Sequence, residues 1–396
     1  MDTAEKRKFS PAQKMLIASV FLITAAIIQH FVFDLVGVGA DARQELRMTN
    51  TEIEVFYGFD MHASFYSPGA RHFYFAARDG VQSISSTGEI RWHQGFNMSL
   101  PVMVGRGDIV AVGEPGGHRI YVFNSSELLY VANLPHPVLY FTVNGSGYLS
   151  VITQLDTGRE IRVFHYDRPD EYIYRAPIND ANVFPVSVDV SECGTYIVKA
   201  LWDVDTLIFS RLTFSYVRLV DSRGIPNGLF ATYDFPDEFI IRTRFTSCGM
   251  VIVITDQQIL GYPAGEGTQG PAWNIPLYNR PDKIYIGANS FAYVTGDPFL
   301  NQPEAISHGV LHIYNFDGNK LGSHNLGRRA THLTINHNTV LVGMGRTFYA
   351  INQHGIRLWD YQAIHDVQDM IFLENTDTVL LAGGIRAAVM RRLRVS

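Results

Sequence analysis

The chain carries fourteen histidines and two cysteines, the side chains from which metal and nucleophilic sites are often built. His308 and His312 can share one face of a strand, whereas the odd spacing of His332 and His337 places them on opposite faces. No third ligand accompanies either pair at a spacing typical of a metal site. The Gly-Ser-Gly at 145–147 lacks the spacing of a hydrolase nucleophile elbow. We therefore predict no metal, no cofactor and no catalytic residue.

The acidic residues show a less ordinary distribution, because they recur at the turn between the second and third strands of successive predicted repeats. Phe299 lies in the longest of these loops, Gly296 to His308, and long loops on a rigid scaffold often bind partners. The corresponding turns of the last two repeats carry Arg346 and Arg386 instead. The carboxylates are those of Asp79, Glu114, Asp156, Asp203, Asp205, Asp256, Asp297 and Glu304.

Two interpretations of this distribution remain open. Aspartate favours turns for its side-chain hydrogen bonds alone, which would make the pattern purely structural. Alternatively, the carboxylates form an acidic crescent on one face of the fold, suited to a cation or to a basic partner. Under the second interpretation, these residues and Phe299 belong to a partner-binding face.

The elements that must position these residues are β-strands. Short apolar or alternating runs recur after residue 51, and almost none has helical periodicity. Examples are RHFYFAAR, DIVAVG, TYIVKALW, MVIVITD and TVLVGMG. Gly, Asn, Asp and Pro separate the runs, and the 25 Phe and 20 Tyr residues suit pleated, half-buried surfaces. The pattern predicts an all-β fold.

The runs fall into groups of four strands, which predicts the blades of a β-propeller. Residues 52–396 spread over eight groups give about 43 residues each, close to the ~40–45 of a four-stranded blade. Eight blades are predicted, and seven remain an alternative because the fourth group is long and irregular. The last group supplies three strands, so the lone strand at 51–59 is predicted to complete it and close the ring. The predicted blades are 60–96, 99–135, 137–177, 184–236, 238–277, 282–326, 329–362 and 366–395.

A short motif marks the turn between the third and fourth strands. SSTGEIRW at 85–92 and NQHGIRLW at 352–359 each place a glycine in a polar turn and a tryptophan four residues later. The segment 313–326 keeps the glycine but has Gly322 in the tryptophan position. The glycines are predicted to turn the chain and the tryptophans to pack between blades. The structural residues of this repeat are Gly88, Trp92, Gly318, Gly355 and Trp359.

The longer forms of these segments, SISSTGEIRWHQ and AINQHGIRLWD, resemble the blade repeat of quinoprotein-like (PQQ-like) propellers. The whole plan resembles a membrane-anchored propeller family of unknown function found in clostridia and relatives, best over residues 186–217 and 239–262. The resemblance implies a fold and a topology, but no activity. Quinoprotein enzymes often hold their cofactor against an adjacent cysteine pair, which Cys193 and Cys248 do not form, so that site is not carried over.

The N-terminal region carries a predicted membrane anchor. A small excess of basic residues in 1–14 precedes a run without formal charge from Met15 to Phe33. At ~1.5 Å per residue, a helix of this length approaches the ~30 Å hydrocarbon core of a bilayer. Basic residues before the span predict a cytoplasmic N-terminus and export of the remainder. The alternative is a signal peptide cleaved near Ala40–Ala42.

The predicted organisation is a cytoplasmic tail at 1–14, a transmembrane helix at 15–40, a linker at 41–51 and a β-propeller at 52–396. The net charge of −6 argues against general nucleic-acid affinity. Two cysteines cannot form a disulfide framework, and their turns in neighbouring blades are predicted to lie too far apart for a bond.

From these features we predict a non-enzymatic scaffold, held in the cell membrane by a single span, with its propeller outside the cytoplasm. The predicted partner is a protein or an envelope polymer bound on one propeller face. Two alternatives remain: an enzyme of the quinoprotein type acting in the central channel, and a ligand sensor coupled through the transmembrane helix.

Overall fold

The protein folds as a propeller of eight four-stranded blades. The computed structural model describes residues 64–392 together with 48–50 and 55–56, and every element in these ranges is a β-strand. Within 64–392, ten short gaps are not described: 70, 169–170, 206–208, 218–227, 247–248, 266, 268, 299–308, 374–377 and 384–385. The prediction of eight blades rather than seven is confirmed.

The first four blades each run outward from the central channel as an antiparallel meander. Blade one comprises β3 (Ser64–Tyr66), β4 (His72–Ala77), β5 (Gly80–Ser85) and β6 (Ile90–Gly95). Blade two comprises β7 (Val102–Arg106), β8 (Ile109–Gly113), β9 (Arg119–Phe123) and β10 (Leu128–Asn133). Blade three comprises β11 (Val138–Val143), β12 (Leu149–Gln154), β13 (Arg159–Phe164) and β14 (Tyr174–Ile178). Blade four comprises β15 (Val183–Val190), β16 (Tyr196–Asp203), β17 (Phe209–Tyr216) and β18 (Leu229–Pro236).

The next three blades repeat this order, and the eighth is completed from the N-terminal side. Blade five comprises β19 (Ile240–Phe245), β20 (Met250–Thr255), β21 (Gln258–Pro263) and β22 (Trp273–Pro276). Blade six comprises β23 (Asn279–Ile286), β24 (Ser290–Pro298), β25 (Val310–Asn315) and β26 (Lys320–Asn325). Blade seven comprises β27 (His332–Asn336), β28 (Thr339–Met344), β29 (Thr347–Asn352) and β30 (Arg357–Gln362). Blade eight comprises β31 (Asp369–Phe372), β32 (Thr378–Ala382) and β33 (Arg386–Arg392), with β1 (Met48–Asn50) and β2 (Val55–Phe56).

The first strand of each blade borders the channel, and β3 of blade one contacts β31 of blade eight as well as β7 of blade two. The second strands are the most apolar: β4, β8 and β28 are buried along their whole length. Both faces of such a strand are covered by neighbouring blades, which explains why its sequence is a continuous apolar run rather than an alternation.

Two N-terminal strands close the ring by pairing with the last strand of the chain. Met48, Thr49 and Asn50 of β1 pair with β33, and so do Val55 and Phe56 of β2. The predicted closure is therefore confirmed, although pairing begins at Met48 rather than at residue 51. The polar Met-Thr-Asn segment has no apolar alternation, so only its partner strand defines it as a strand.

Trp92 of the repeat and Trp273, which lies outside the motif, each join two neighbouring blades. The Trp92 indole stacks on Phe123 of blade two at 5.0 Å between centroids, and its Nε1 donates to the Ser125 carbonyl oxygen at 3.1 Å. Trp273 repeats this arrangement between blades five and six, where its Nε1 donates to the Phe316 carbonyl oxygen at 2.9 Å. Trp359 is buried on β30.

The glycines of the repeat are required by the backbone. Gly88, Gly318 and Gly355 all have positive φ, between 79° and 86°, which side chains other than glycine rarely adopt. Gly322 replaces the expected tryptophan because β26 approaches the next blade closely. A Cβ on Gly322 would lie 2.3 Å from the carbonyl carbon of His354.

No helix within the described part of the chain is long and apolar enough to cross a membrane. The predicted tail, transmembrane helix and most of the linker lie outside the described residues. Their membrane role stays a prediction.

Candidate functional site

The connections between second and third strands lie at one end of the ring, together with the connections between blades. We call this end the upper face and define it by the turns 78–79, 155–158 and 256–257 and the blade connection 363–368. The opposite end, with the turns 107–108 and 337–338, is the lower face. In an antiparallel meander, successive connections alternate between the two ends, which fixes this assignment.

The structure places seven of the predicted acidic residues at the upper face, at the end of a second strand or in the following turn. Phe299 and Glu304 lie outside the described residues. Arg346 occupies the matching turn of blade seven, and Arg386 begins the third strand of blade eight. The seven are Asp79, Glu114, Asp156, Asp203, Asp205, Asp256 and Asp297.

Two of these carboxylates hold neighbouring backbone. Glu114 Oε2 accepts from the backbone amides of Ser99 and Leu100 at 2.7 and 3.3 Å. Asp256 Oδ1 accepts from the amide of Phe239 at 2.9 Å. Each carboxylate thereby ties its own turn to the connection that enters the same blade. Glu114 and Asp256 are structural, as the first interpretation of the acidic pattern expects.

The charged residues over blades six to eight are largely paired. Arg329 lies 2.8 Å from Asp282 and 3.1 Å from Asp297. Arg346 lies 2.7 Å from Asp366, and this hydrogen bond and charge lower the pKa of the Asp366 carboxyl. Arg346 and Asp366 therefore neutralise each other, whereas Arg329 is shared by Asp282 and Asp297 and leaves that group with one negative charge.

The remaining carboxylates lie over blades one, three and four. Asp79 and Asp156 are exposed, and the side chain of neither is paired with any residue that the structure describes. Asp203 accepts from the amide of Asp205, and exposed Asp205 accepts from Asn182 Nδ2 at 3.2 Å. The predicted carboxylates that are exposed and have no ion-pair partner among the described residues therefore lie on blades one, three and four, which narrows the predicted crescent.

Exposed large apolar side chains lie on both faces, and those of the upper face include three on innermost strands. Val102, Leu139 and Ile241 are first or second residues of innermost strands, so they surround the mouth of the channel. Leu100 and Ile364 lie in blade connections, and Ile364 is 78% exposed. No sequence pattern identifies this group, because each member looks like an ordinary strand or loop residue until the topology places it on the upper face.

A cross-channel cluster lies near the lower face. Arg106, at the end of β7, reaches Asp189 at 3.3 Å and Glu192 at 3.2 Å, both in blade four. The same guanidinium donates to the carbonyl oxygen of Phe245 in blade five. Asp189 Oδ2 also accepts from the amide of Phe245 at 2.8 Å. Arg106 thus links three blades across the channel.

Arg244 of β19 has a different environment. It forms no hydrogen bond or ion pair with any described residue, whereas burial, followed by the positive charge of Arg106, lowers its pKa to about 10. Asp189 and Tyr285 oppose this shift. Arg242 lies two residues earlier, on the same side of the strand, and is exposed. In the sequence, the two arginines of IRTR, on an innermost strand, were the pattern that could have indicated a basic channel.

A cavity of approximately 400 Å³ opens beside this cluster, at the lower end of the channel. Tyr66, Tyr285 and His337 contribute polar groups to its wall, and Phe65 and Ile371 are among its apolar residues. Burial raises the pKa of Tyr66, and Tyr285 adds to the effect. Tyr66 therefore stays a neutral donor near physiological pH.

The described residues contain no group of three or more His, Cys, Asp and Glu side chains arranged to hold a metal ion. Cys193 is an exposed free thiol, and Cys248 is not described. His312 is described and buried, whereas its predicted strand neighbour His308 is not described.

The ring is similar to solved propellers at low sequence identity. BamB from Moraxella catarrhalis aligns over 87% of this chain and 99% of its own, with a TM-score of 0.52 and 12% identity. Sqt1 from Chaetomium thermophilum, solved bound to the N-terminus of the ribosomal protein L10, aligns over 87% and 100%, with a TM-score of 0.54 and 10% identity. Identities this low show a shared fold alone.

No curated protein matches the sequence significantly. A family of unknown function, DUF5711, matches residues 60–391, which span nearly the whole propeller. The chain therefore belongs to the DUF5711 family.

Proposed function

We propose that this protein is a membrane-tethered, extracytoplasmic scaffold that binds a protein partner on its upper face. The observation that carries the proposal is the coincidence of two features on that face. Exposed apolar side chains surround the channel mouth. Carboxylates without an ion-pair partner among the described residues lie on the same face, in the turns between second and third strands. The proposed role is binding rather than catalysis.

The two features match the anatomy of a protein interface, in which an apolar centre is bordered by a polar rim. Val102, Leu139 and Ile241 are 37%, 45% and 53% exposed, although most strand residues of their type are buried in the ring. Together at the mouth of the channel, they supply the apolar part of the proposed interaction surface. Asp79, Asp156 and Asp205 favour a partner whose apolar contact is flanked by Lys or Arg.

The same fold serves protein binding elsewhere: Sqt1 was solved bound to the N-terminus of the ribosomal protein L10. The tether is proposed from residues 15–40 and from the basic residues before them, which favour a cytoplasmic N-terminus and an exported propeller. Digestion of intact cells by an added protease tests this topology. An exported propeller is cleaved, and a propeller that stays protected until lysis contradicts the proposal.

Ile364→Asp tests the upper face. The change places a charge at the most exposed apolar side chain of the upper-face set, so a partner that buries this position loses affinity. The matched control is Ile356→Asp, which alters a 42% exposed isoleucine in the turn between β29 and β30 at the lower face. Both side chains are exposed, so neither change disturbs the core.

The measurement is crosslinking in intact cells, followed by mass spectrometry of the captured proteins. We expect one set of partners with the unaltered protein and with Ile356→Asp, and its loss with Ile364→Asp. Asp156→Lys is expected to reduce capture of the same partners through charge repulsion. Equal capture by Ile364→Asp and Ile356→Asp would remove the upper face from the interaction.

A further inference from the structure

The chain enters the ring at the lower face. The strand β33 follows a connection between second and third strands, so it begins at the upper face and ends at the lower face. β1 runs antiparallel to it, and Met48 pairs with Arg392, the last residue of β33. Val55 of β2 pairs with Ala387, near the upper end of the same strand. The polypeptide that precedes Met48 therefore reaches the propeller from the lower side, at the outer edge of blade eight.

The length of the preceding segment limits which face can lie beside a membrane. Seven residues, 41–47, connect the predicted transmembrane helix at 15–40 to β1. At ~3.3–3.6 Å per residue, they span at most about 25 Å. The seven residues of β33 rise about 24 Å between the two faces, at ~3.4 Å per residue. A tether that ran back to the upper face would use its whole length, so the lower face is the one it holds close to the bilayer.

Two exposed isoleucines lie on either side of this entry point. Blade eight receives the chain, and its neighbours in the ring are blades seven and one. In both neighbours, the turn between the third and fourth strands lies at the lower face. Ile90 of blade one is 60% exposed, and Ile356 of blade seven is 42% exposed. Each is followed by an exposed arginine, Arg91 or Arg357.

Both turns are fixed by hydrogen bonds from the backbone to a side chain. Ser85 Oγ accepts from the amide of Glu89 at 3.0 Å. Asn352 Oδ1 accepts from the amides of His354 and Ile356 at 3.0 and 2.9 Å. The two isoleucines are therefore presented by preorganised hairpins, and a surface that binds them loses little free energy to ordering of the backbone.

An isoleucine followed by an arginine has the chemistry of a membrane interface. The apolar side chain fits the boundary between headgroups and acyl chains, and an arginine can bury its methylene groups there while its guanidinium stays at the level of the phosphates. Exposed Glu89 offsets the charge of Arg91, so the contact does not require an anionic lipid. The upper face also exposes apolar side chains, but it lies at the far end of the propeller from the tether.

We propose that the lower rim of blades seven, eight and one rests on the bilayer surface, with Ile90 and Ile356 at the boundary between headgroups and acyl chains. Arg91 and Arg357 lie at the phosphates of the same leaflet. This contact rests on the membrane tether of the proposed function, and it directs the upper face away from the membrane, towards a partner. A change at Ile356 alters the lipid contact and leaves capture at the upper face intact, because the span still anchors the chain.

Fluorescence quenching by brominated lipids tests the contact in the full chain. The chain is reconstituted in vesicles of phosphatidylcholine, with or without bromine on the acyl chains near the glycerol backbone. Ile90→Trp and Ile356→Trp place a reporter at each proposed contact, and Ile364→Trp is the control at a 78% exposed isoleucine of the upper face. The signal of the unaltered chain, with its four tryptophans, is subtracted.

We expect brominated vesicles to quench the added fluorescence of Ile90→Trp and Ile356→Trp, and to leave that of Ile364→Trp unchanged. Flotation of the same vesicles on a density gradient reports the tether separately. A chain that floats with the vesicles but shows no quenching at either lower-face reporter, or equal quenching at Ile364→Trp, keeps its tether and overturns the rim contact. A chain that does not float lacks the tether itself, which contradicts the proposed topology and this contact together.

A second substitution assigns the contact to the isoleucines. Ile90→Asp, combined with Ile356→Trp, is expected to reduce quenching of the reporter severalfold, because a carboxylate resists transfer out of water. The matched control is Ile364→Asp combined with Ile356→Trp, which should be quenched as strongly as Ile356→Trp alone. Both added carboxylates replace exposed side chains, so neither disturbs the core. Undiminished quenching with Ile90→Asp would contradict a contact held by both hairpins.

Discussion

A buried histidine on β25 makes blade six sensitive to acid. His312 is 6% exposed, and neither ring nitrogen has a hydrogen-bond partner within the described residues. Its ring lies 5.0 Å from that of Tyr293, between centroids. Burial, followed by the positive charge of Lys320, lowers the His312 pKa from 6.5 to about 4. The folded protein therefore keeps this imidazole neutral where the unfolded chain protonates it.

The free energy of unfolding should fall as the pH decreases from about 6.5 to 4, because only the unfolded chain binds a proton at residue 312 in this window. The loss from this residue is about 3 kcal/mol, and it is absent above pH 6.5. His312→Phe keeps a ring against Tyr293 and should remove that part of the pH dependence. Urea unfolding between pH 7.5 and 4.5 measures it, with His354→Phe at an exposed histidine as the control. Identical pH profiles for His312→Phe and the unaltered chain would refute the assignment.

Individual functional residues were only partly predictable from the sequence. The turn positions of Asp79 and Asp156 follow from strand order, which is local information, so their placement on one face could be inferred. The use of Glu114 to hold Ser99 and Leu100 could not, because it depends on how a blade connection folds over the turn. The contacts of Arg106 could not be predicted, because its partners lie 83 to 139 residues away in the sequence.

At the scale of the elements, the turn between the third and fourth strands is where blades interlock. The sequence motif identified Trp92 and Trp359 because a glycine precedes each tryptophan by four residues. Trp273 escaped the motif since a longer connection, with residues 264–272, precedes its strand. Trp273 nevertheless packs against Gly318 of the next blade, in the same way that Trp92 meets blade two. The contact between a tryptophan and the next blade, rather than the spacing of the motif, is therefore what these positions share.

Gly318→Ala should destabilise the propeller for two separate reasons. Its φ of 79° disfavours any side chain, and the added Cβ would lie 2.6 Å from Cγ of Trp273. Gly327→Ala is the matched control, since Gly327 has a φ of 65° and open space around the added Cβ. We expect a loss of about 1–2 kcal/mol for Gly327→Ala and about 2–5 kcal/mol for Gly318→Ala in denaturant unfolding. Equal losses would show that contact with Trp273 does not constrain this turn.

At the scale of the whole molecule, the length of the sequence repeat predicted the number of blades in the ring. Groups of about 43 residues predicted eight blades, and a last group of only three strands predicted closure by an N-terminal strand. The exact start of that strand was beyond sequence patterns, because Met48 to Asn50 gain their conformation from β33. Trp92 and Trp273 each donate to a carbonyl oxygen that follows the third strand of the next blade. Trp359 Nε1 has no acceptor among the described residues, and the blade next to it, blade eight, takes its fourth strand from the N-terminal side.

The ring should depend measurably on its N-terminal closure. A chain that begins at residue 60 lacks β1 and β2, which leaves β33 with an unpaired edge. Five registered residue pairs are lost, and at about 0.2–1 kcal/mol per pair the free energy of unfolding should fall by about 1–5 kcal/mol. The exposed edge should also promote self-association, since unpaired strand edges recruit other chains. Denaturant unfolding and light scattering measure the two effects.

The control is a chain that begins at Arg47, because it removes the N-terminal segment but keeps both closing strands. It should unfold at the same denaturant concentration as the detergent-purified full chain and remain free of self-association. If the chain beginning at residue 60 matched it in both measurements, the three strands of blade eight would be sufficient to end the ring, and β1 and β2 would contribute nothing to its stability. The pairing of β33 on both of its edges argues for the opposite result, since β32 satisfies only one of them.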